Sequence, residues 1–235
     1  MEKRILHIEN LSKSFDGLKL FDEVNIDLQQ GTINSLFGGN GSGKTTFFNL
    51  IGGYEKPDSG EIHFNGMTIK FHNEFAIAKA GIGKIWQDPT VFPNHTVLDN
   101  LLVSDKTHPG EKFFNYIFRR KSIKSRESEL KKKALSILQK FKLAEKSEQL
   151  AGSLSLGERK LLSISMLLMN DANLLLLDEP FSGVNSDTID RISKALDELR
   201  SQGKTIFMIE HKIKFAEKIS DSLFRIENYK IHKFN

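Results

Sequence analysis

Apolar or alternating runs bounded by turn-forming residues recur along the chain at 5–9, 24–28, 33–37, 61–64, 82–87, 174–178, 205–209 and 223–227. The early runs follow one another in hairpin-like succession, which predicts antiparallel strands. The later ones differ. Residues 174–177 are four leucines and 205–209 is nearly as apolar, so both predict strands covered on both faces, as parallel strands are. From about Pro89 to Met169 strand patterns give way to helical spacing, in 127–143 and 157–169. The pattern as a whole predicts one α/β domain. Its core runs over 1–88 and 170–235 and opens with antiparallel strands, and a helical part is inserted over 89–169.

Chemistry enters directly after the 33–37 run. Gly38, Gly39, Asn40, Gly41, Ser42, Gly43, Lys44, Thr45 and Thr46 fit G-x-x-x-x-G-K-[ST], and a helical start follows. The glycines let successive backbone N–H groups turn inward toward phosphate oxygens, and the helix N-terminus adds its positive dipole end. Lys44 is placed to neutralise phosphate charge and Thr45 to offer its hydroxyl to Mg²⁺. A nucleoside triphosphate is the implied ligand. The 174–177 leucines end in Asp178 and Glu179, two adjacent carboxylates at the C-terminal end of a buried strand, where open α/β sheets bind ligands. Asp178 with Thr45 suits a hard cation such as Mg²⁺, and Glu179 is free to polarise a water.

Composition narrows the setting. With 235 residues, 39% of them hydrophobic, the chain buries a core without staples, and the absence of cysteine excludes disulfides and thiolate metal sites. The first nine residues read as a charged strand rather than a signal peptide, and no run approaches the ~18 apolar residues of a membrane span. The net charge of +4 is mild, yet from Arg119 to Lys133 eight basic residues face only two acidic ones. One segment therefore carries the whole basic character. Preceded by the aromatic stretch Phe113 to Phe118, residues 113–133 read either as a surface for anionic lipid or as an amphipathic helix with its Phe side chains in a core.

Ser155, Gly157 and Glu158 precede a helix with Leu161, Leu162, Ile164, Leu167 and Leu168 at core spacing; Ser155 and Glu158 form a capping-box pattern. This stretch ends about twenty residues before the paired carboxylates. With the phosphate loop and Asp178-Glu179, that position makes the chain resemble the ATP-binding cassette (ABC) ATPases over nearly its whole length. The resemblance implies a P-loop NTPase core with a RecA-like, mostly parallel sheet. It implies that Phe15 stacks on adenine, that Gln87 contacts Mg²⁺ and the attacking water, and that His211 holds Glu179 and the water in register. It also implies that Ser155 and the backbone around Gly157 and Glu158 meet the γ-phosphate of a second cassette packed head to tail.

The implied partners are that second cassette, identical or paralogous, and integral membrane permease subunits at the cytoplasmic face of the cell membrane; no nucleic acid is expected. Asn185, the pair Glu210-His211, Trp86-Gln87-Asp88 and the basic insert are similar to the branched-chain amino acid importers, while the lipopolysaccharide exporter's ATPase is similar too. The alternative is a non-transport cassette ATPase of DNA repair or translation, a class that usually carries a long coiled coil or tandem cassettes. This chain has neither. Leu156 and Glu158 depart from the commonest signature, which has glycine and glutamine there.

Overall fold

The computed structural model describes residues 3–69, 74–105, 120–211 and 213–234. The aromatic stretch Phe113 to Phe118 and Arg119 lie outside the described residues, as do the side chains of 120–125. Strands β1 (Arg4–Phe15) and β2 (Leu18–Gln29) form an antiparallel hairpin. Its turn is Asp16-Gly17, both at positive φ, the dipeptide a tight two-residue turn favours. Both strands outrun the predicted 5–9 and 24–28. Register shifts between Ile8 and Leu11, with Asn10 and Glu23 in left-handed conformation, break the two-residue alternation that marks a strand in sequence. β4 (Ser59–Phe64) pairs with the other edge of β1, and β5 (Met67–Thr68) completes a sheet of order β2-β1-β4-β5.

The second sheet has the order β10-β9-β3-β8-β7-β6. β3 (Ile33–Phe37), β6 (Ile82–Ile85), β7 (Leu174–Asp178), β8 (Thr205–Ile209) and β9 (Ser222–Glu227) run parallel, and β10 (Lys230–Phe234) closes one edge antiparallel. Every residue of β3, β7 and β8 is buried. The polar ones are satisfied: Asn34 Nδ2 donates to Thr32 Oγ1 at 2.9 Å and to the Ile206 carbonyl at 3.2 Å, and Ser35 bonds Ser220 at 2.7 Å. Helix α1 (Lys44–Ile51) lays Phe47 and Phe48 onto this sheet, Phe48 against Phe207 with ring centroids 5.1 Å apart. Burying each ring contributes about 1.5–3 kcal/mol. The phosphate loop and the Asp178-Glu179 pair are thus hung on strands buried along their whole length.

The chain divides into two compact units, one of residues 1–87, 172–182 and 196–235 and one of 88–171 and 183–195. The second contains α3 (Val97–Val103), α4 (Arg120–Lys140) and α5 (Leu156–Met169), and α3 packs on both of the others. Thr96 caps α3 by accepting from Asp99 N. α4 begins before the predicted residue 127, because its basic first turns carry no apolar stripe to read, and it ends at Lys140, two residues before left-handed Lys142. The remaining helices are α2 (Glu74–Ala80), α6 (Ser186–Ser201) and α7 (Ile213–Ile219). Among the described residues no helix is long and apolar enough to cross a membrane.

Candidate active site

β3 ends at Phe37 and α1 starts at Lys44, so the six residues between must reverse into the helix within a short loop. Gly43 achieves this at φ +95°, and a Cβ there would stand 2.9 Å from Phe21 Cζ. At Gly38 a Cβ would stand 2.4 Å from Ser42 Oγ. Ser42 Oγ is itself buried with no hydrogen-bond partner, an uncommitted hydroxyl within the loop. Lys44 Nζ donates to the carbonyls of Gly38 and Gly39, each at 2.9 Å, and so is held inside the loop. Burial lowers its pKa, while Glu179 and Asp178 act in the opposite direction. Asn40 to Thr46, together with Leu20, Asp178, Glu179, Ile209 and His211, line a pocket of about 300 Å³.

The carboxylates face this pocket from the end of β7. Asp178 is 6% exposed, and burial raises its pKa; the Thr45 hydroxyl, donating to Oδ2 at 3.3 Å, and the nearby Lys84 and Lys44 pull it back. Glu179 follows at φ 50°, a left-handed backbone uncommon for a non-glycine residue, which turns its side chain off the strand line. Its two oxygens are held separately: Oε1 lies 2.7 Å from His211 Nε2, and Oε2 accepts from Gln87 Nε2 at 3.1 Å. Gln87 lies past the end of β6, which stops at Ile85 rather than at the predicted residue 87.

Nearby, Glu210 is 4% exposed and accepts from the backbone N–H groups of Phe181 at 3.4 Å and His211 at 3.3 Å. Burial raises its pKa, and those two hydrogen bonds oppose the rise. It braces the segments on both sides of the Glu179–His211 contact. In the sequence Glu210 enters only through a subfamily resemblance, though a carboxylate ending an apolar strand beside a histidine is a usable signal.

The profile described as "ABC transporter" matches residues 21–182. The chain belongs to this family. It is 36% identical over 225 residues to a probable branched-chain amino acid transport ATP-binding protein, LivG, of Archaeoglobus fulgidus, with 96% of this chain and 86% of that protein covered. It is 31% identical to the high-affinity branched-chain amino acid transport ATP-binding protein BraF of Pseudomonas aeruginosa, covering 95% and 88%. Among solved structures it resembles an ATP-binding cassette of an ABC transporter in its ADP conformation, with TM-score 0.84, 34% identity and coverage of 98% and 90%. The chain is therefore the ATP-binding, ATP-hydrolysing subunit of an ABC transporter.

In this ABC ATPase the signature residues belong to the helical unit. Ser155 is the N-cap of α5, and the capping box is closed: Glu158 N donates to Ser155 Oγ at 3.3 Å, and Ser155 N donates to Glu158 Oε2 at 3.1 Å. The Glu158 carboxylate is thereby turned back onto its own helix. Gly157 is demanded by packing, since a Cβ would lie 2.3 Å from Thr188 Cγ2. Asn185 Oδ1 accepts from Thr188 N at 2.9 Å, an N-cap for α6. Phe15 stands apart from the pocket wall. It is 40% exposed at the end of β1 with Lys13 Nζ 4.6 Å from its ring centre, and Leu20 of β2 forms the wall instead.

Nothing in the sequence singles out Lys84. Its ammonium donates to Asn49 Oδ1, stands 3.6 Å over the Trp86 ring and 5.5 Å from that of Tyr54, and burial lowers its pKa to about 8. A single lysine in a short strand gives no sequence signal of that kind.

Proposed function

We propose that the pocket binds the ATP triphosphate with Lys44 and the N–H groups of Asn40 to Thr46, and that Glu179 accepts a proton from the attacking water. The observation that carries this is the carboxylate of Glu179, fixed through both oxygens by His211 and Gln87 on the rim of the phosphate-loop pocket. A base held at two points costs little reorganisation when water is deprotonated. The new oxygen–phosphorus bond forms as the bond to the β-phosphate oxygen breaks, ADP leaves, and the water proton passes to Glu179.

Mg²⁺ supplies charge neutralisation for the phosphates when bound, and Asp178 and Thr45 would hold it with Gln87. No group of three or more His, Cys, Asp or Glu suited to a metal occurs among the described residues. A donor set of one carboxylate, one hydroxyl and one amide oxygen fits an ion that keeps waters and takes phosphate oxygens for the rest.

Two cassettes close head to tail in this reading, with Ser155 and the N–H groups around Gly157 and Glu158 meeting the partner's γ-phosphate. Phe15 takes the adenine by moving toward the pocket. Permease subunits receive the motion at the cytoplasmic face of the membrane, and the cargo class is branched-chain amino acids, by likeness to the LivG and BraF relatives. The test is purification through this subunit, then reconstitution with the membrane protein that accompanies it. ATP turnover coupled to leucine, isoleucine or valine uptake is the expected result. A complex with ribosomes or nucleic acid and no polytopic partner would overturn the transport reading.

A further inference from the structure

We infer that Lys146 is a positioning residue for the signature helix: it neutralises Glu158 so that the N-terminus of α5 can accept the triphosphate of a second copy. The inference rests on the head-to-tail reading above. Its starting point is a conflict visible at the first turn of α5. A helix N-terminus attracts anions through its free N–H groups, yet Glu158 puts a carboxylate in that very turn. An incoming phosphate would meet a negative charge where a neutral amide would pose no such problem.

The structure resolves the conflict with a cation twelve residues upstream. Lys146 Nζ donates to Glu158 Oε1 at 2.7 Å, while Oε2 accepts from Ser155 N at 3.1 Å and from Ser155 Oγ at 3.0 Å. Each oxygen is engaged, and the Glu158 side chain is only 15% exposed. Burial raises its pKa, but the contacts from Lys146 and Ser155 prevail and hold it low, so the site carries a true ion pair.

Lys146 is fixed from behind. It ends a 3₁₀ turn, Ala144–Lys146, whose last N–H bonds the Leu143 carbonyl at 3.0 Å. The next residues are pinned to the start of α3, with Leu98 N donating to Ser147 O and Val97 N to Gln149 O, both at 2.9 Å. The pair also sets what Ser155 can do. Its hydroxyl proton is given to Glu158 in this state and must swing away to reach a phosphate. Because Lys146 and Ser155 N keep hold of the carboxylate, that swing breaks one contact rather than dismantling the turn.

The experiment uses the full chain carrying Glu179→Gln, which should hold ATP unhydrolysed, and reads the ATP concentration that half-saturates dimer formation by light scattering. Adding Lys146→Ala should raise it roughly five- to tenfold, the scale for unbalancing one partly exposed charge beside an approaching anion. Lys146→Arg should leave it near the parent value. Lys146→Ala with Glu158→Gln should recover most of the loss, because glutamine still accepts from Ser155 but carries no charge. ATP binding by the monomer, measured with a fluorescent analogue at dilution, should be unchanged by Lys146→Ala and by Lys146→Arg. A Lys146→Ala protein that dimerises like its parent, or a double variant as weak as Lys146→Ala alone, overturns the inference. If the Glu179→Gln parent binds ATP yet never dimerises, the head-to-tail reading falls first and takes this one with it.

Discussion

Replacing Glu179 by glutamine separates binding from chemistry, and the site geometry fixes how large the separation should be. The two side chains have the same shape, so the left-handed backbone at residue 179 and the Glu210 brace are undisturbed. Glutamine keeps one oxygen, enough to satisfy Gln87, and it loses the basic oxygen that His211 addresses at 2.7 Å. What disappears is a proton acceptor, worth roughly 10²- to 10⁴-fold in rate, or about 3–5 kcal/mol of barrier.

Affinity should move the other way. Glu179 is one of the two carboxylates felt by Lys44, and removing its charge leaves fewer negative groups facing the triphosphate. Single-turnover phosphate release at saturating ATP, run beside direct measurement of ATP binding, reads both quantities. Release within tenfold of wild type would refute the assignment of Glu179 as base. Slow release accompanied by weak binding would refute the claim that the substitution leaves the pocket intact.

Other perturbations test the supporting structure. Lys44→Ala removes a charge-assisted contact to phosphate and frees the Gly38 and Gly39 carbonyls, so ATP affinity by calorimetry should fall roughly ten- to hundredfold; affinity near wild type would contradict its role. Gly157→Ala drives a methyl against Thr188 and should destabilise by about 1–3 kcal/mol in urea unfolding, and adding Thr188→Ser, which removes Cγ2 at 2.3 Å but keeps the oxygen at 2.9 Å, should recover part of it. Lys84 titrates near 8 in the folded chain against 10.5 for a free lysine, so between these values the unfolded chain binds more protons. Its contribution to stability therefore rises with pH across that window and is flat below it. Lys84→Met should remove that part of the rise in urea midpoints, and identical pH profiles for the two proteins would show that burial does not lower the Lys84 pKa.

What the sequence made legible was whatever is encoded locally. The four leucines of β7, the apolar β3 and β8, and the glycine-rich loop between β3 and α1 each announce themselves within ten residues, because burial on both faces and tight backbone turns leave few residue choices. Elements failed to show where a neighbour supplies the logic. The β1–β2 hairpin looks short because Asn10 and Glu23 interrupt its alternation, and β10 reads as a polar tail because it is an edge strand closing the sheet against β9. Helices α2, α3 and α7 are seven residues each, under two turns of repeat and too little for periodicity to register.

The site divides the same way. Lys44, Asp178 and Glu179 stand in motifs, whereas the Glu210 brace and the Lys146–Glu158 pair depend on tertiary placement. Phe15 is a different case. Its sequence position suggests a stacking ring, but the ring's place at the tip of β1 is set by the Asp16-Gly17 turn and by Lys13.

The contact between Gly43 and Phe21 has a consequence for how this domain is assembled. Phe21 belongs to the antiparallel hairpin, is fully buried and packs on Phe47 with ring centroids 5.4 Å apart, so its edge fills the space a side chain at residue 43 would need. The phosphate loop is therefore cast against a mould made by a different sheet. A fragment holding β3, the loop and α1 would carry every letter of the motif without the surface that gives it shape. Competence to bind a triphosphate should then require the docked hairpin, and the parallel strands from which the loop springs should not suffice for it.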